Sequence, residues 1–270
     1  MFVTIITDCR DNNAINRLST RAAWLFGTPA TFVGVSDFHT PENEELQAGL
    51  NLVDALDASQ GSQGVVMVNV AHRHGKGKKW PNGTPFAYFK YKDTLITSTL
   101  DGYALSVAKK LGLIDELFVT DIPTVLEAMI QENVFPAEHK ERVMKTQFRS
   151  YEYQPRLTHW LFEGRNVPSE KVDLQEIPDL EPFVLSTDNF GNCVTSLLPE
   201  EVGHESGKII ETTVGPIQCY ERMKDVPNGE TGFIVGSNGI DHSRFLSITI
   251  QGQSAAKTHN LIAGSRILPE

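Results

Sequence analysis

Asp188, Asn189 and Asn192 stand around Phe190-Gly191, in a segment whose flanks, Val184-Leu185 and Val194 to Leu198, read as strand. These residue types suit ligand recognition. Asn192 can present a donor and an acceptor to one planar partner such as an adenine edge, and Asp188 offers an acceptor-only carboxylate to an ammonium or a hydroxyl pair. Phe190 supplies a face for stacking. The same composition also makes an ordinary hairpin turn. A second candidate is Asp8. Phe2-Val-Thr-Ile-Ile6 is a continuous apolar run that suits a strand buried on both faces, which puts Thr7-Asp8 at its C-terminal tip. Ligands of open α/β sheets gather there, and a carboxylate at that point can hold a ribose diol. Equally, Asp8 can cap the helix that follows.

Two further stretches carry polar chemistry. His72-Arg-His-Gly-Lys-Gly-Lys-Lys79 concentrates positive charge, so it reads either as a cradle for a phosphate or carboxylate or as a solvated loop. His72-x-His74 supplies two metal ligands without a third, and no metal site is expected. The hydroxyls of Ser98 and Thr99, in Thr97 to Tyr103, can meet a ligand's carboxylate or ribose, or cap a helix over Tyr103 to Leu111.

These residues need a scaffold, and the pattern around them is α/β. Asn12 to Phe26 keeps Ala14, Ile15, Leu18, Ala22 and Leu25 on one face and stops at Gly27. Ala30 to Val35 is a strand. Thr40 and Pro41 open a helix that buries Leu46, Leu50, Val53 and Leu56, and Gly64 to Val70 is a third buried strand. His39 precedes that helix as a loop-ordering residue. Strands separated by helices make a mostly parallel, doubly wound sheet the economical topology. Glu127 to Thr146 reads as largely helical. Pro168, Pro178 and Pro182 interrupt all periodicity between Arg165 and Pro182, and short β-rich segments follow, among them Lys208 to Val214, Gly232 to Val235 and Phe245 to Ile250. The expectation is an α/β domain over 1–172 and a small all-β, barrel-like domain over 173–270.

Composition narrows the partners. At 270 residues, 40% hydrophobic and 21% charged, the chain is ordinary for a globular protein, and its formal charge of -10 disfavours a nucleic-acid partner. Cys9, Cys193 and Cys219 lack C-x-x-C spacing and fit a reducing compartment. The N-terminus enters a strand pattern at once, and no apolar run of about 18 residues occurs, so a cytoplasmic protein without a membrane role is expected.

Asp188-x-Phe190-Gly191-Asn192-x-x-Thr195-Ser196 resembles the Asp-x-Phe-Gly-Asn-x-x-Thr-Asn signature of the S-adenosylmethionine hydroxide adenosyltransferases and their fluorinase and chlorinase relatives, with Ser196 for the final Asn. Ile5-Ile6-Thr7-Asp8, Val65 to Lys79 and Leu246 to Ala256 fall in the family's order and spacing. The resemblance implies an adenosyl ligand and no separate cofactor, S-adenosylmethionine being the substrate. It also implies a ribose contact from Asp8, an amino-acid anchor at Ser243-Arg244, and a homotrimer in which Asp8 of one chain faces Asp188, Phe190 and Asn192 of the next. For Arg244 a surface salt bridge is the competing reading. The family's water-orienting Asp, Arg and His are replaced: Asn69 and Lys76 stand at the first two positions and Arg149 at the third.

Attack at the ribose 5′ carbon of S-adenosylmethionine expels a neutral thioether, so the demands are in-line positioning and a desolvated nucleophile. An amide cannot take a proton from water, and Asn69 with Lys76 therefore favours an anionic nucleophile. Adenosyl transfer to hydroxide or another small nucleophile is the expected activity. The alternatives are a catalytically impaired protein that binds adenosine or S-adenosylmethionine, and an enzyme acting on another nucleoside.

Overall fold

A computed structural model describes residues 1–35, 42–70 and 83–269, the side chains of 42 and 43 excepted. His39, Thr40, Pro41 and the whole run from His72 to Lys79, Lys76 included, lie outside the described residues. The chain divides into two compact units, Met1–Pro178 and Asp179–Glu270.

The first unit contains β1 (Phe2–Thr7), α1 (Asn12–Phe26), β2 (Thr31–Gly34), α2 (Glu42–Ser59), β3 (Gly64–Asn69), β4 (Phe86–Tyr91), β5 (Thr94–Thr99), α3 (Ser106–Lys110), β6 (Leu117–Thr120), α4 (Ile122–Gln131), α5 (Lys140–Lys145), α6 (Arg149–Glu152), α7 (Gln154–Phe162) and β7 (Glu170–Val172). Its sheet runs β2-β1-β3-β5-β4-β6-β7. The four strands β2, β1, β3 and β5 pair in parallel, whereas β4 and β7 run against their neighbours. The sheet is therefore mixed, which qualifies the expected mostly parallel one. The cause is local: Lys92, at φ 51, turns the chain tightly between β4 and β5, so these strands form a hairpin rather than a crossover.

Alternation along the central strands sorts the core. Val3, Ile5, Val65, Met67 and Leu95 turn one way, toward Leu18 and Ala22 of α1 and Leu161 and Phe162 of α7. Helix α2 also packs on β1 and β3, with α3 beside it, burying Leu46, Leu50, Val53 and Leu56. The helix α1 has the expected bounds and ends on Gly27 at φ 66. Its N-cap is Asp11, whose carboxylate accepts from the Asn13 and Ala14 amides, so capping leaves Asp8 for another role. The segment expected to be helical from Glu127 to Thr146 is broken after α4 by Asn133, which takes φ 58, and by Pro136.

The division falls after Pro178 rather than near 172, because the chain past β7 stays tied to the first unit. The Ser106 hydroxyl donates to the Pro178 carbonyl and Lys109 Nζ to that of Ile177.

The second unit holds β8 (Val184–Thr187), β9 (Cys193–Thr195), α8 (Pro199–Val202), β10 (Ile209–Thr212), β11 (Gly215–Cys219), β12 (Thr231–Ile240), β13 (Ser243–Ile250) and α9 (Ala255–His259). Its six strands run β10-β11-β12-β13-β9-β8 around a core that includes Phe233, Leu246, Ile248 and Ile267. Residues 264–267 lace the two ends of this order together. Val184 exchanges hydrogen bonds with Gly264 and Ser265, Phe183 bridges Arg266, and the Thr213 amide and hydroxyl donate to the Ile267 and Arg266 carbonyls. No helix among the described residues is long and apolar enough to cross a membrane.

Candidate functional site

Parallel register brings the first unit's polar residues to one sheet edge. Thr7 pairs with Asn69 and Val68 with Ser98, so Asp8, Asn69, Ser98 and Thr99 all arrive at the C-terminal ends of adjacent strands β1, β3 and β5. Asp8 is 8% exposed, and its amide donates to the Asn69 carbonyl. The Cys9 thiol donates to Asp8 Oδ1. Ser98 turns its hydroxyl to the Thr99 carbonyl, and Thr99 Oγ1 is buried with no hydrogen-bond partner among the described residues, a state that costs about 1–3 kcal/mol where it holds. Neither residue caps a helix: both lie inside β5, and the helix that follows, α3, has Leu105 at its N-cap.

Burial pushes the Cys9 thiol up to about 11, with the charge of Asp8 adding to the effect. At pH 8 the thiolate fraction is then about 100-fold below that of a thiol at 9.0. The higher intrinsic nucleophilicity of a more basic thiolate offsets about tenfold of this. Iodoacetamide should therefore label Cys9 in the folded protein about tenfold more slowly than in urea, as read by peptide mass spectrometry. Equal rates would contradict this environment. Between pH 9 and 11 the unfolded chain releases this proton first, so the contribution of Cys9 to stability falls as pH rises through that window.

Glu45 escaped the sequence reading. It is 3% exposed on α2, and its Oε2 accepts from the Tyr103 amide at 2.8 Å, fixing the loop that leaves β5. The signal was available: Glu45 shares a helix face with Ala48, Leu52 and Leu56, all fully buried.

In the second unit the Asp188–Asn192 segment is a tight turn between β8 and β9. Asp188 Oδ1 accepts from the amides of Phe190 and Asn192, and Oδ2 accepts from Asn192 Nδ2 at 2.8 Å. Asn192 Oδ1 in turn accepts from Thr249 Oγ1 on β13. The carboxylate and amide thus hold the turn rigid, leaving the second Nδ2 proton of Asn192 beyond these bonds. Phe190, at its apex, is 72% exposed. Thr195 and Ser196 are fully buried, with hydroxyls on the Leu246 and Glu181 carbonyls.

Ser243 and Arg244 open β13 opposite Ile240 and Gly239. Arg244 donates to the carbonyls of Ser237, Gly239 and Asp241, which ties its fork to the β12–β13 hairpin.

A cavity of about 380 Å³ lies further along the same sheet edge, since Phe86 pairs with both Thr99 and Thr120; its lining includes Pro85, Thr120, Asp121, Glu170 and Arg149. Arg149 donates through Nη1 to the Thr84 carbonyl, and burial lowers its pKa from the ordinary guanidinium value.

Two solved structures share this fold over nearly their whole length. An uncharacterized conserved protein from Thermotoga maritima matches at TM-score 0.69 with 15% identity, covering 99% of both chains. A conserved hypothetical protein from Thermus thermophilus matches at TM-score 0.61 with 16% identity, covering 99% of this chain and 100% of that one. At such identities the likeness is one of fold. No curated protein matches the chain. The family resemblance read from the sequence is borne out where the rigid turn lies: residues 183–268 match the model of the SAM hydroxide adenosyltransferase C-terminal domain.

Proposed function

We propose that the protein binds S-adenosylmethionine and transfers its adenosyl group to a small nucleophile, hydroxide or another anion, releasing methionine. The observation that carries this reading is the family match over 183–268, which contains the exposed Phe190 on its braced turn. Asp8, Asn69, Ser98 and Thr99, gathered at one edge of what we take to be a doubly wound domain, are its second support.

In this reading Asp8 accepts from the ribose diol, the hydroxyls of Ser98 and Thr99 add contacts, and adenine stacks on Phe190 within reach of Asn192. Ser243 and Arg244 serve the amino-acid end. The nucleophile forms its bond to the 5′ carbon as the carbon–sulfur bond breaks, and the electron pair leaves with the neutral thioether of methionine. Asn69 and Lys76 orient that nucleophile. Asn69 cannot accept a proton, so the attacking species enters already anionic. The protein would act as a homotrimer in the cytoplasm, each ligand drawing on both sets of residues.

The amide at Asn69 also favours a second reading, binding without turnover. Calorimetric titration with S-adenosylmethionine, adenosine and methionine, followed by chromatography after incubation with chloride, fluoride and hydroxide, separates the two. Adenosine or a 5′-substituted adenosine as product supports transfer, binding without product supports the second reading, and no adenosyl binding removes both. Asp8→Ala should weaken adenosine binding by roughly 10- to 100-fold, through loss of charge-assisted hydrogen bonds of about 1.5–3 kcal/mol. Unchanged affinity in that variant would end the assignment of Asp8 to ribose. Light scattering gives the number of chains.

A further inference from the structure

The cavity beside Arg149 carries separated charge on apolar walls. Arg149 forms no ion pair with any carboxylate among the described residues, although its pKa is lowered by burial. A guanidinium drawn out of water without a counter-charge is costly, and an anion reaching it recovers that cost. Glu170, on the edge strand β7, lines the same cavity and likewise has no cation beside it among the described residues. Asp121, the N-cap of α4, lines the cavity as well, with Oδ2 committed to the amide and hydroxyl of Thr124. Between these groups the lining includes the apolar Pro85, Val119 and Ile122.

We propose that this cavity is a binding site for a free α-amino acid with an uncharged, apolar side chain. Arg149 takes the α-carboxylate, Glu170 takes the α-ammonium with Asp121 in support, and the side chain lies against Val119 and Ile122. A single anion would leave Glu170 facing it, and a single cation would leave Arg149 facing it. One ligand bearing both charges a short distance apart satisfies both walls. The volume falls in the range of small-molecule sites, about 300–1,000 Å³, whose linings are mostly apolar with a few convergent polar groups. Arg suits a carboxylate through its bidentate fork, and Nη1 is already steadied by the Thr84 carbonyl.

The site has its own supports. Thr120 and Asp121 end β6, which pairs with β7 so that Val119 lies opposite Glu170. Ser169, just before β7, shares a hydrogen bond with the Tyr88 hydroxyl, tying that strand's start to β4. The positions of Arg149 and Glu170 are thereby set by the sheet and by α6.

This proposal goes beyond adenosyl transfer and needs none of it. The test is calorimetric titration of the full chain with glycine, leucine, methionine and aspartate, together with leucinamide, N-acetylleucine and inorganic phosphate. Leucine and methionine should bind at least tenfold more tightly than glycine or aspartate. Blocking either charge, as in leucinamide or N-acetylleucine, should cost at least tenfold. Glu170→Gln, an exposed change on an edge strand, and Arg149→Gln, with folding checked by thermal melting, should each weaken leucine at least tenfold and leave adenosine binding unchanged. N-acetylleucine or phosphate binding as well as leucine would make this a plain anion site and overturn the proposal. So would no amino-acid binding at millimolar concentration, or leucine binding indifferent to both substitutions. Adenosine binding is measured on the same samples, so failure here is distinguishable from failure of the adenosyl reading.

Discussion

Gly191→Ala should destabilise the second unit by about 2–5 kcal/mol and lower its melting temperature by roughly 10 °C or more. Gly191 holds φ +87, where a side chain is strained whatever the space, and here there is no space. A Cβ would lie 2.0 Å from Ser254 Oγ, 2.5 Å from its Cβ and 2.8 Å from its Cα, so rotating the serine side chain cannot relieve the clash. Movement is blocked from the other side, because the Gly191 carbonyl accepts from the Ala256 amide at the start of α9. Backbone strain accounts for about 1–2 kcal/mol and overpacking for about 1–3. Gly207→Ala separates the two, since Gly207 has φ +88 and nothing lies within 4 Å of the point its Cβ would occupy. It should show the strain alone. Differential scanning calorimetry of both variants checks the prediction, and equal losses would mean that the approach to Ser254 contributes nothing. A shifted turn also displaces Phe190, so the adenosine affinity of Gly191→Ala should fall even where the unit remains folded.

Glu152→Ala should cost the first unit about 3–5 kcal/mol in urea unfolding. The Arg21 and Glu152 side chains are each 9% exposed, and Arg142 reaches the same Oε2, at 3.5 Å against 3.7 Å for Arg21. Arg156, 8% exposed, donates to the Glu152 carbonyl, and its guanidinium lies 5.5 Å from the Trp24 ring centre. One carboxylate thus stands among three guanidiniums, two of them buried, and its removal leaves their repulsion uncompensated. The repulsion already shows in Arg156, held down to about 10 by burial first and by Arg21 next. Exposed pairs behave differently. Glu141, paired with Lys145 on the surface of α5, should change stability by no more than about 0.5 kcal/mol on replacement by Ala. A Glu152→Ala loss as small as that of Glu141→Ala would show that water already screens the cluster.

The parts of the fold visible beforehand were those written in local periodicity. Helix α1 and its Gly27 stop follow from spacing alone, as do the buried Leu46, Leu50, Val53 and Leu56 of α2. What required partners distant in the chain could not be read. Ser98 and Thr99 could equally meet a ligand or cap a helix by their hydroxyls alone, yet the Thr- and Ile-rich strand from Thr94 continues through them and pairs with β3 and β4. Asn192 looked available to a ligand, and its commitment appears only once Thr249 is brought to it from β13. The arginine cavity draws on β6, α6 and β7, whose nearness rests on an antiparallel pairing that no local pattern announces. Asp8 was legible because a buried apolar strand has only one place to end.

The lacing of the second unit by residues 264–267 bears on how this protein behaves in crowded solution. A bare strand invites a stranger's strand to extend the sheet. Here the outer side of β8 is already answered by the chain's own backbone at Gly264 and Ser265, while β10 carries Glu211 and follows Lys208, charges that discourage docking. A unit so rich in short strands is thus guarded against templated aggregation by its own closing segment.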